Sequence, residues 1–393
     1  MLDRRTFLAE TAAALALSAL PSSSHAKRNP DEQLVAQTDR ARILRGAKAA
    51  LAQTPFTVTS VRSPRSPGGP HDFFSEADYF WPNPANPEGP YINRDGQSNP
   101  DNFNGHRKAM VNLSLWVPAL AAAWVLTRDQ RYGRRALDHL RAWFVTLDTR
   151  MNPNLEYAQG VHGVSTGRNY GIIDTLHLVE VARAATVLHP VMAQADRDGI
   201  HNWFREYLSW LKTSEKGQQE RDTRNNHATC WALQAAEYAR LIGDETTRNE
   251  ERTWFVRTLL GDQMAANGSF PRELERTKPY SYSIFNFDVM AGLAQSLKGG
   301  DPELTTFALP DGRGLAGAAA FLYPWLKDKS AWPYAHDVEH FDALPVRSPG
   351  LLFAGLAAHH PEYIELWKQL NPDPADREII RNFPIRQPLL WVV

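Results

Sequence analysis

The sequence predicts an all-α protein, an (α/α) toroid of antiparallel helix pairs with long loops over a cleft. Three observations support this prediction: helical periodicity from about residue 30 onward, short polar or Gly/Pro turns between the periodic segments, and no convincing period-two strands. Helix pairs in this number are typical of an α/α array or toroid. The 393 residues, 43% of them hydrophobic, are enough for one large or two ordinary domains, and we expect a single domain over 27–393.

Residues 1–26 have a different composition from the rest of the chain. Arg4 and Arg5 precede a stretch rich in Ala and Leu, which ends in small residues at Ala26. This pattern predicts a twin-arginine-type export signal. We therefore exclude 1–26 from the fold and expect the mature protein to be periplasmic or secreted. We expect no other segment to span a bilayer.

The helices are predicted from apolar residues that recur every three and four positions. The segments with this period are 33–53, 109–126, 131–146, 171–188, 193–213, 228–242, 249–265, 284–297, 313–326 and 349–370. Two long stretches, 62–106 and 148–170, lack the period and are rich in Pro, Gly, Asn and aromatic residues. Because a compact domain rarely keeps such long loops without a use for them, we expect these loops to serve the cleft.

The bulk charge and the cysteine count narrow the possible partners. The formal net charge of −1 gives no global attraction to nucleic acid or to anionic membranes. The single cysteine excludes an internal disulfide and a cysteine-rich metal site. We expect no nucleic-acid partner, no stable membrane insertion, no metal and no organic cofactor. The sequence leaves the oligomeric state open.

Two polar clusters stand immediately before apolar helical segments. Asn225, Asn226 and His227 precede one, and Arg276, Tyr280 and Tyr282 precede another about fifty residues later. An asparagine at this place is often only a helix N-cap. In an α/α toroid, however, the same-side ends of alternate helices converge on one cleft, where both clusters are candidates to meet.

One reaction that suits this combination is β-elimination across the glycosidic bond of a polyuronate. Hydrogen bonds from asparagine and histidine offset the charge of the sugar carboxylate and stabilise the developing enolate. A tyrosine then removes the C5 proton and returns it to the leaving oxygen. Since free tyrosine has a pKa of about 10, a cation such as Arg276 would favour its phenolate. On the opposite C5 epimer, His227 is a candidate base.

Several motifs together resemble the alginate-lyase group of polysaccharide lyases, over roughly residues 75–330. They are NNH (225–227), ELERT (273–277), YSYSIFN (280–286), DYFWPNP (78–84), YINRDGQSNP (91–100), RMNPNLEYAQ (150–159) and GRNYGIIDT (167–175). The resemblance implies a toroid lyase with Asn226 and His227 neutralising the carboxylate, and Arg276 assisting Tyr282 as acid/base. Asn225 supports them. The segment RTKPYSYSIFN (276–286) resembles the corresponding segment of lyases that act on glucuronan, or on both glucuronan and alginate.

Further residues are candidates for substrate binding. His162, Arg168 and Tyr170 lie in the second long loop, Trp81 lies in the first, and Tyr280 is an alternative to Tyr282 as the acid/base.

Two other functions fit the composition. A toroid glycoside hydrolase would need two carboxylates across the cleft; the candidates are Glu156, Asp174, Glu273 and Glu275. A non-catalytic polyuronate-binding protein would keep the aromatic and basic lining but would survive the loss of the tyrosine.

Overall fold

The computed structural model describes residues 28–393, and the predicted export signal over 1–26 lies outside the described residues. The described chain is mainly helical, which confirms the all-α prediction. Its α-helices are α1 (Pro30–Leu51), α2 (Gly105–Thr127), α3 (Gln130–Phe144), α4 (Leu178–Val187), α5 (Gln194–Thr213), α6 (Glu215–Arg221), α7 (Asn226–Ile242), α8 (Glu245–Trp254), α9 (Leu260–Gln263), α10 (Pro271–Leu274), α11 (Pro279–Ser296), α12 (Leu315–Lys327), α13 (Pro349–Ala358), α14 (Pro361–Gln369), α15 (Arg377–Arg381) and α16 (Leu389–Val392).

Three predicted helices differ in detail from the observed ones. The segment 249–265 begins within α8, passes through a π-helical stretch, Phe255–Leu259, and ends in α9. The segment 171–188 begins as a 3₁₀ turn, Asn169–Thr175, and becomes α-helical only from α4 onward. The segment 349–370 divides into α13 and α14 at His359, whose φ of 56° is left-handed. Pro361 then opens the next helix, because proline suits a first turn and cannot continue a preceding one.

Four short strands, which the sequence did not indicate, lie in the two long loops. Strand β1 (Phe74–Glu76) pairs in parallel with β4 (Tyr157–Gly160), and β2 (Phe80–Trp81) pairs antiparallel with β3 (Ile92–Asn93). Each has two to four residues, too few to display a period of two. The first pair ties the loop 62–106 to the loop 148–170.

The helices form an inner row and an outer layer. Helices α2, α4, α7, α11 and α13 pack against one another in that order. Outside them, α1 and α3 pack on α2, α5 and α8 on α7, α12 on α11 and α13, and α14 on α13. Alternation of inner and outer helices is the arrangement that antiparallel pairs produce. The closure of the row into a toroid stays a prediction.

The inner helices are buried on nearly all sides. In α11, seventeen of the eighteen residues are buried, and Tyr282 is the exception. Helix α2 is long and apolar enough to cross a membrane by length and composition, contrary to our expectation from the sequence. In the structure, 78% of its most apolar stretch lies inside the protein, against α1, α3 and α4. Its composition is therefore that of a core helix.

Candidate active site

A cavity of about 410 Å³ lies where four inner helices begin. Arg107 comes from the first turn of α2, His177 precedes α4, Asn226 starts α7 and Tyr282 lies in the first turn of α11. The two long loops and the end of α15 complete its lining. Helix N-termini carry partial positive charge, so their convergence favours an anionic ligand. The two polar clusters expected to meet do so in this cavity, with the exception of Tyr280.

Tyr282 presents its hydroxyl to the cavity, beside a second tyrosine. The two hydroxyl oxygens, of Tyr282 and Tyr79, lie 2.9 Å apart. The guanidinium of Arg276 lies over the Tyr282 ring, 4.6 Å from its centroid. Burial raises the pKa of Tyr282 well above its ordinary value, the neighbouring Tyr79 adds to this, and Arg276 opposes it. The expected cation is therefore present, but burial outweighs it, and the resting side chain is a neutral phenol.

Arg276 is held in place by Asp95 from the first long loop. Its Nη2 donates to Asp95 at 2.7 Å and its Nε at 3.3 Å, while the Thr277 hydroxyl donates to the same carboxylate at 2.9 Å. Burial disfavours the charged guanidinium, but Asp95 outweighs this and raises the pKa of Arg276. Burial likewise disfavours the ionised form of Asp95, but the hydrogen bonds from Arg276 and Thr277 outweigh this and lower the pKa of Asp95. Both groups are thus ionised near neutral pH.

The two asparagines have different partners. Asn225 is the N-cap of α7, where its side chain accepts from the backbone N–H of His227 at 3.2 Å. Asn226 is buried, and it donates from its backbone N–H and its Nδ2 to Glu273, at 2.7 and 2.6 Å. Since an amide nitrogen carries two hydrogens, one remains for a ligand. Glu273 thus fixes the direction in which the Asn226 side chain points.

His227 is oriented by a buried carboxylate behind it. Its Nδ1 lies 2.5 Å from Glu220, and Asn169 donates to the other oxygen of Glu220 at 3.1 Å. The hydrogen bond to Glu220 assigns the ring proton to Nδ1. Within residues 28–393 the Nε2 atom has no protein partner, and it lies on the cavity side of the ring. The Tyr170 ring packs against the imidazole, with centroids 5.0 Å apart.

Arg168 lies in the cavity wall between two aromatic rings. Its guanidinium lies 4.7 Å from the Phe80 centroid and 5.3 Å from that of Tyr170. Nε and Nη2 donate to Gln159, at 3.1 and 3.0 Å. Burial lowers the pKa of Arg168, and neighbouring tyrosine and carboxylate groups limit the shift. The remaining Nη1 has no protein partner among residues 28–393, which suits a ligand carboxylate.

Three of the predicted binding residues do not line this cavity. Tyr280 is fully buried against Trp332, and its hydroxyl donates to the Trp325 carbonyl at 2.9 Å. The assignment of Tyr280 to substrate binding is therefore corrected, because Tyr280 and Tyr282 lie on nearly opposite sides of α11, which points one tyrosine into the core and the other into the cavity. Trp81 lies on β2 and donates to the Gln97 carbonyl at 2.9 Å. His162 is exposed and borders a separate depression.

Sequence reasoning missed the residues that support the predicted ones. Tyr79 and Asp95 lie inside the motifs at 78–84 and 91–100, but nothing in their spacing connected them to residues two hundred positions away. Glu220 and Glu273 each precede one of the polar clusters by a few residues. Their proximity along the chain to His227 and to Arg276 was the available signal.

We expect substitutions of Asn225 to separate helix capping from ligand contact. The Asn225→Ala variant should lose about 1 kcal/mol in the free energy of unfolding, because the cap is lost, whereas Asn225→Ser should lose almost none. Both variants lack the side-chain Nδ2, which has no protein partner in the described chain, so both should raise KM about tenfold. Urea unfolding and steady-state kinetics measure the two effects. A normal KM in Asn225→Ser would leave Asn225 with the capping role alone.

Comparisons with known proteins agree with the resemblance of the motifs. The family model described as alginate lyase matches residues 57–332, more than half of the chain. An alginate lyase from Bacteroides ovatus superposes with a TM-score of 0.80 at 28% identity, over 92% of this chain and 97% of that one. Alginate lyase A1-III, in a variant complexed with a tetrasaccharide, superposes with a TM-score of 0.56 at 16% identity, over 92% and 98%. No curated protein matches the chain.

The likeness of sequence and the likeness of structure indicate the same class of enzyme. The protein is a polysaccharide lyase. More narrowly, the chain belongs to the alginate lyase family, and the recognition made from its motifs is confirmed. The roles of the individual side chains stay predictions.

Proposed function

We propose that this lyase cleaves a 1,4-linked polyuronate by β-elimination and leaves an unsaturated uronate at the new non-reducing end. The observation that carries this proposal is the shared cavity: the Tyr282 hydroxyl, the Arg276 guanidinium and the start of α7 at Asn226 and His227 all line it. No step of this reaction requires a metal or an organic cofactor. Within residues 28–393, no three His, Cys, Asp or Glu side chains are grouped to hold a metal ion.

The first task is to make the C5 proton acidic enough to remove. In our proposal the uronate carboxylate lies against the start of α7, where Asn226 donates its remaining amide hydrogen and His227 lies beside it. The helix N-terminus adds its positive partial charge. These fixed dipoles stabilise the enolate charge that develops in the transition state. Arg168, with one free nitrogen, is placed to bind the carboxylate of the same or a neighbouring sugar.

The proton route depends on the configuration at C5. In mannuronate and glucuronate the C5 hydrogen and the C4 oxygen lie on one face, so Tyr282 serves as base and then as acid. Its raised pKa suits donation to the leaving oxygen, and the base form becomes more populated as pH rises. We therefore expect kcat/KM on these polymers to increase with pH above neutrality. The Tyr79 hydroxyl, 2.9 Å away, is a hydrogen-bond partner that orients the Tyr282 hydroxyl.

Guluronate is the C5 epimer, and its elimination needs acid and base on opposite faces of the sugar. Here we propose that His227 removes the proton through its free Nε2, while the neutral Tyr282 phenol donates to the leaving oxygen. Glu220 stabilises the imidazolium that forms, because its carboxylate accepts from Nδ1. The same cavity would then serve both epimers with different bases.

Hydrolysis fits the cavity less well than elimination. The carboxylates that line it are Asp78, Asp95 and Asp174, and each is paired with an arginine. Burial opposes ionisation of Asp78 and Asp95, but their arginine partners outweigh it and lower the pKa of both. A hydrolase needs one carboxylic acid with a raised pKa. Of the other candidates, Glu273 has its pKa raised by burial, but it lies behind Asn226 and does not line the cavity. Glu156 is paired with Lys216 outside the cavity.

We propose alginate or polymannuronate, and glucuronan, as the substrate polymers. The B. ovatus relative is an alginate lyase, which supports the first, and the RTKPYSYSIFN motif supports the second. We also propose that the enzyme meets its polymer in the periplasm or outside the cell, on the basis of the signal-like residues 1–26.

One experiment tests the reaction and the substrate together. Purified mature protein is mixed separately with glucuronan, polymannuronate, polyguluronate and a neutral glucan, and the ultraviolet absorbance of the conjugated product is followed. We expect a rise with polymannuronate or glucuronan and none with the neutral glucan. New reducing ends without absorbance would overturn elimination in favour of hydrolysis. Polymer binding without either signal would overturn it in favour of a binding protein.

A further inference from the structure

A second depression of about 470 Å³ adjoins the catalytic cavity. The two share three lining residues, Asp78, Arg107 and Arg381, which therefore form the wall between them. Arg107 donates to Asp78 at 2.5 Å, and Arg381 donates to its other oxygen. Asp78 and Arg381 keep 14% and 20% of their side-chain surface exposed. A chain leaving the catalytic cavity across this edge would enter the second depression.

The second depression presents two exposed cations, Lys108 and Arg377. Neither makes an ion pair or a side-chain hydrogen bond with any described residue. The carboxylates beside them are already engaged: Asp78 with two arginines, and Glu378 with Arg381 at 2.5 Å. An anionic ligand would therefore meet free positive charge here, and little negative charge to repel it.

Apolar side chains complete the lining. Val111 and Leu115 come from α2, and Ile380 comes from α15. Pro100 closes one side. This combination matches a uronate unit. The apolar side chains suit the C–H face of the sugar ring, and the cations at the edge suit its carboxylate.

We propose that this second depression binds further uronate units of the polymer, with Lys108 and Arg377 contacting their carboxylates. The proposal rests on the polyuronate substrate proposed above. Like Arg381 of the catalytic cavity, Arg377 and Ile380 belong to α15, which lies outside residues 57–332, the part of the chain that matches the family. Lys108 and Arg377 do not touch the reacting sugar, so they contribute to the binding of long chains and leave the chemical step unchanged.

The test compares long and short substrates. The double variant Lys108→Ala/Arg377→Ala should raise KM on polymer about tenfold, since each exposed ion pair contributes modestly. Its kcat, and its kcat/KM on uronate trimers, should stay at wild-type values. The matched control is Lys48→Ala/Arg257→Ala, which removes two exposed cations that also lack ion pairs in the described chain and lie outside the cavities. The excess KM of the first variant should shrink as salt is added.

The outcomes separate this proposal from the proposed function. Equal KM values for the two double variants on polymer would overturn the second binding region. A loss of activity on trimers equal to that on polymer would overturn it too, because the effect would then lie in the catalytic cavity. Equilibrium binding of long and short oligomers is measured in parallel. If the wild type binds polymer without producing unsaturated ends, the elimination reaction fails, while the binding data still decide the role of Lys108 and Arg377.

Discussion

The Tyr282→Phe variant is expected to lose turnover, with kcat falling by about 10²–10⁴-fold, the usual contribution of a positioned acid or base. Phenylalanine keeps the ring that lies under the Arg276 guanidinium but removes the hydroxyl, which is the group that moves the proton. Since the ring still fills its place in α11, the fold and the affinity for substrate should persist. Product absorbance measures the loss, and calorimetric titration with an unsaturated oligosaccharide measures binding.

Tyr280→Phe is the matched control, because it removes a tyrosine hydroxyl two residues away in the same helix. That hydroxyl donates to the Trp325 carbonyl in the core, so its loss should cost about 1 kcal/mol in the free energy of unfolding and leave kcat unchanged. An active Tyr282→Phe enzyme, or a Tyr280→Phe enzyme that folds but is inactive, would contradict the assignment of the acid/base.

The Arg276→Ala variant is expected to lower kcat by about 10²–10³-fold, the cost of removing one group that stabilises charge in the transition state. The substitution removes the cation over the Tyr282 ring and leaves Asp95 beside it without its partner. Both changes disfavour the phenolate and raise the pKa of Tyr282 further. On polymannuronate or glucuronan, where Tyr282 is the proposed base, the rise of kcat/KM with pH should therefore move to higher pH.

A pH–rate profile of wild type and variant measures this shift. Arg131→Ala is a suitable control, since it breaks an arginine–aspartate pair of similar geometry, with Asp129, on the exposed surface. It should leave the profile unchanged. If Arg276→Ala lowered kcat without moving the profile, Arg276 would bind substrate rather than assist the tyrosine.

Most of the helices were predictable because a helix that packs against the core has apolar residues every three or four positions, and this period is visible in the sequence. An inner helix such as α7 must be apolar over many residues, and a polar cluster at its start then stands out. A capping asparagine before α7 and the family itself were readable from the order of residues along the chain, whereas the predicted helix began at 228 and the observed one begins at Asn226. Short strands such as β2 were not, because their hydrogen bonds come from a distant segment and leave no period.

Which of the two tyrosines faces the cavity was decided by tertiary packing. Tyr280 and Tyr282 are two residues apart, about 200° around an α-helix, so they point in nearly opposite directions. Only the positions of Trp325 and Trp332 show which direction is the core.

The supporting carboxylates were likewise decided by the fold. Glu273 fixes Asn226 across 47 positions of the chain, and Asp95 reaches Arg276 across 181. The sequence shows residue types and their local spacing. These were enough to predict the class of enzyme and the first candidate catalytic residues. Hydrogen bonds between distant segments arise only when the chain has folded, and they determine how each of those candidates is oriented.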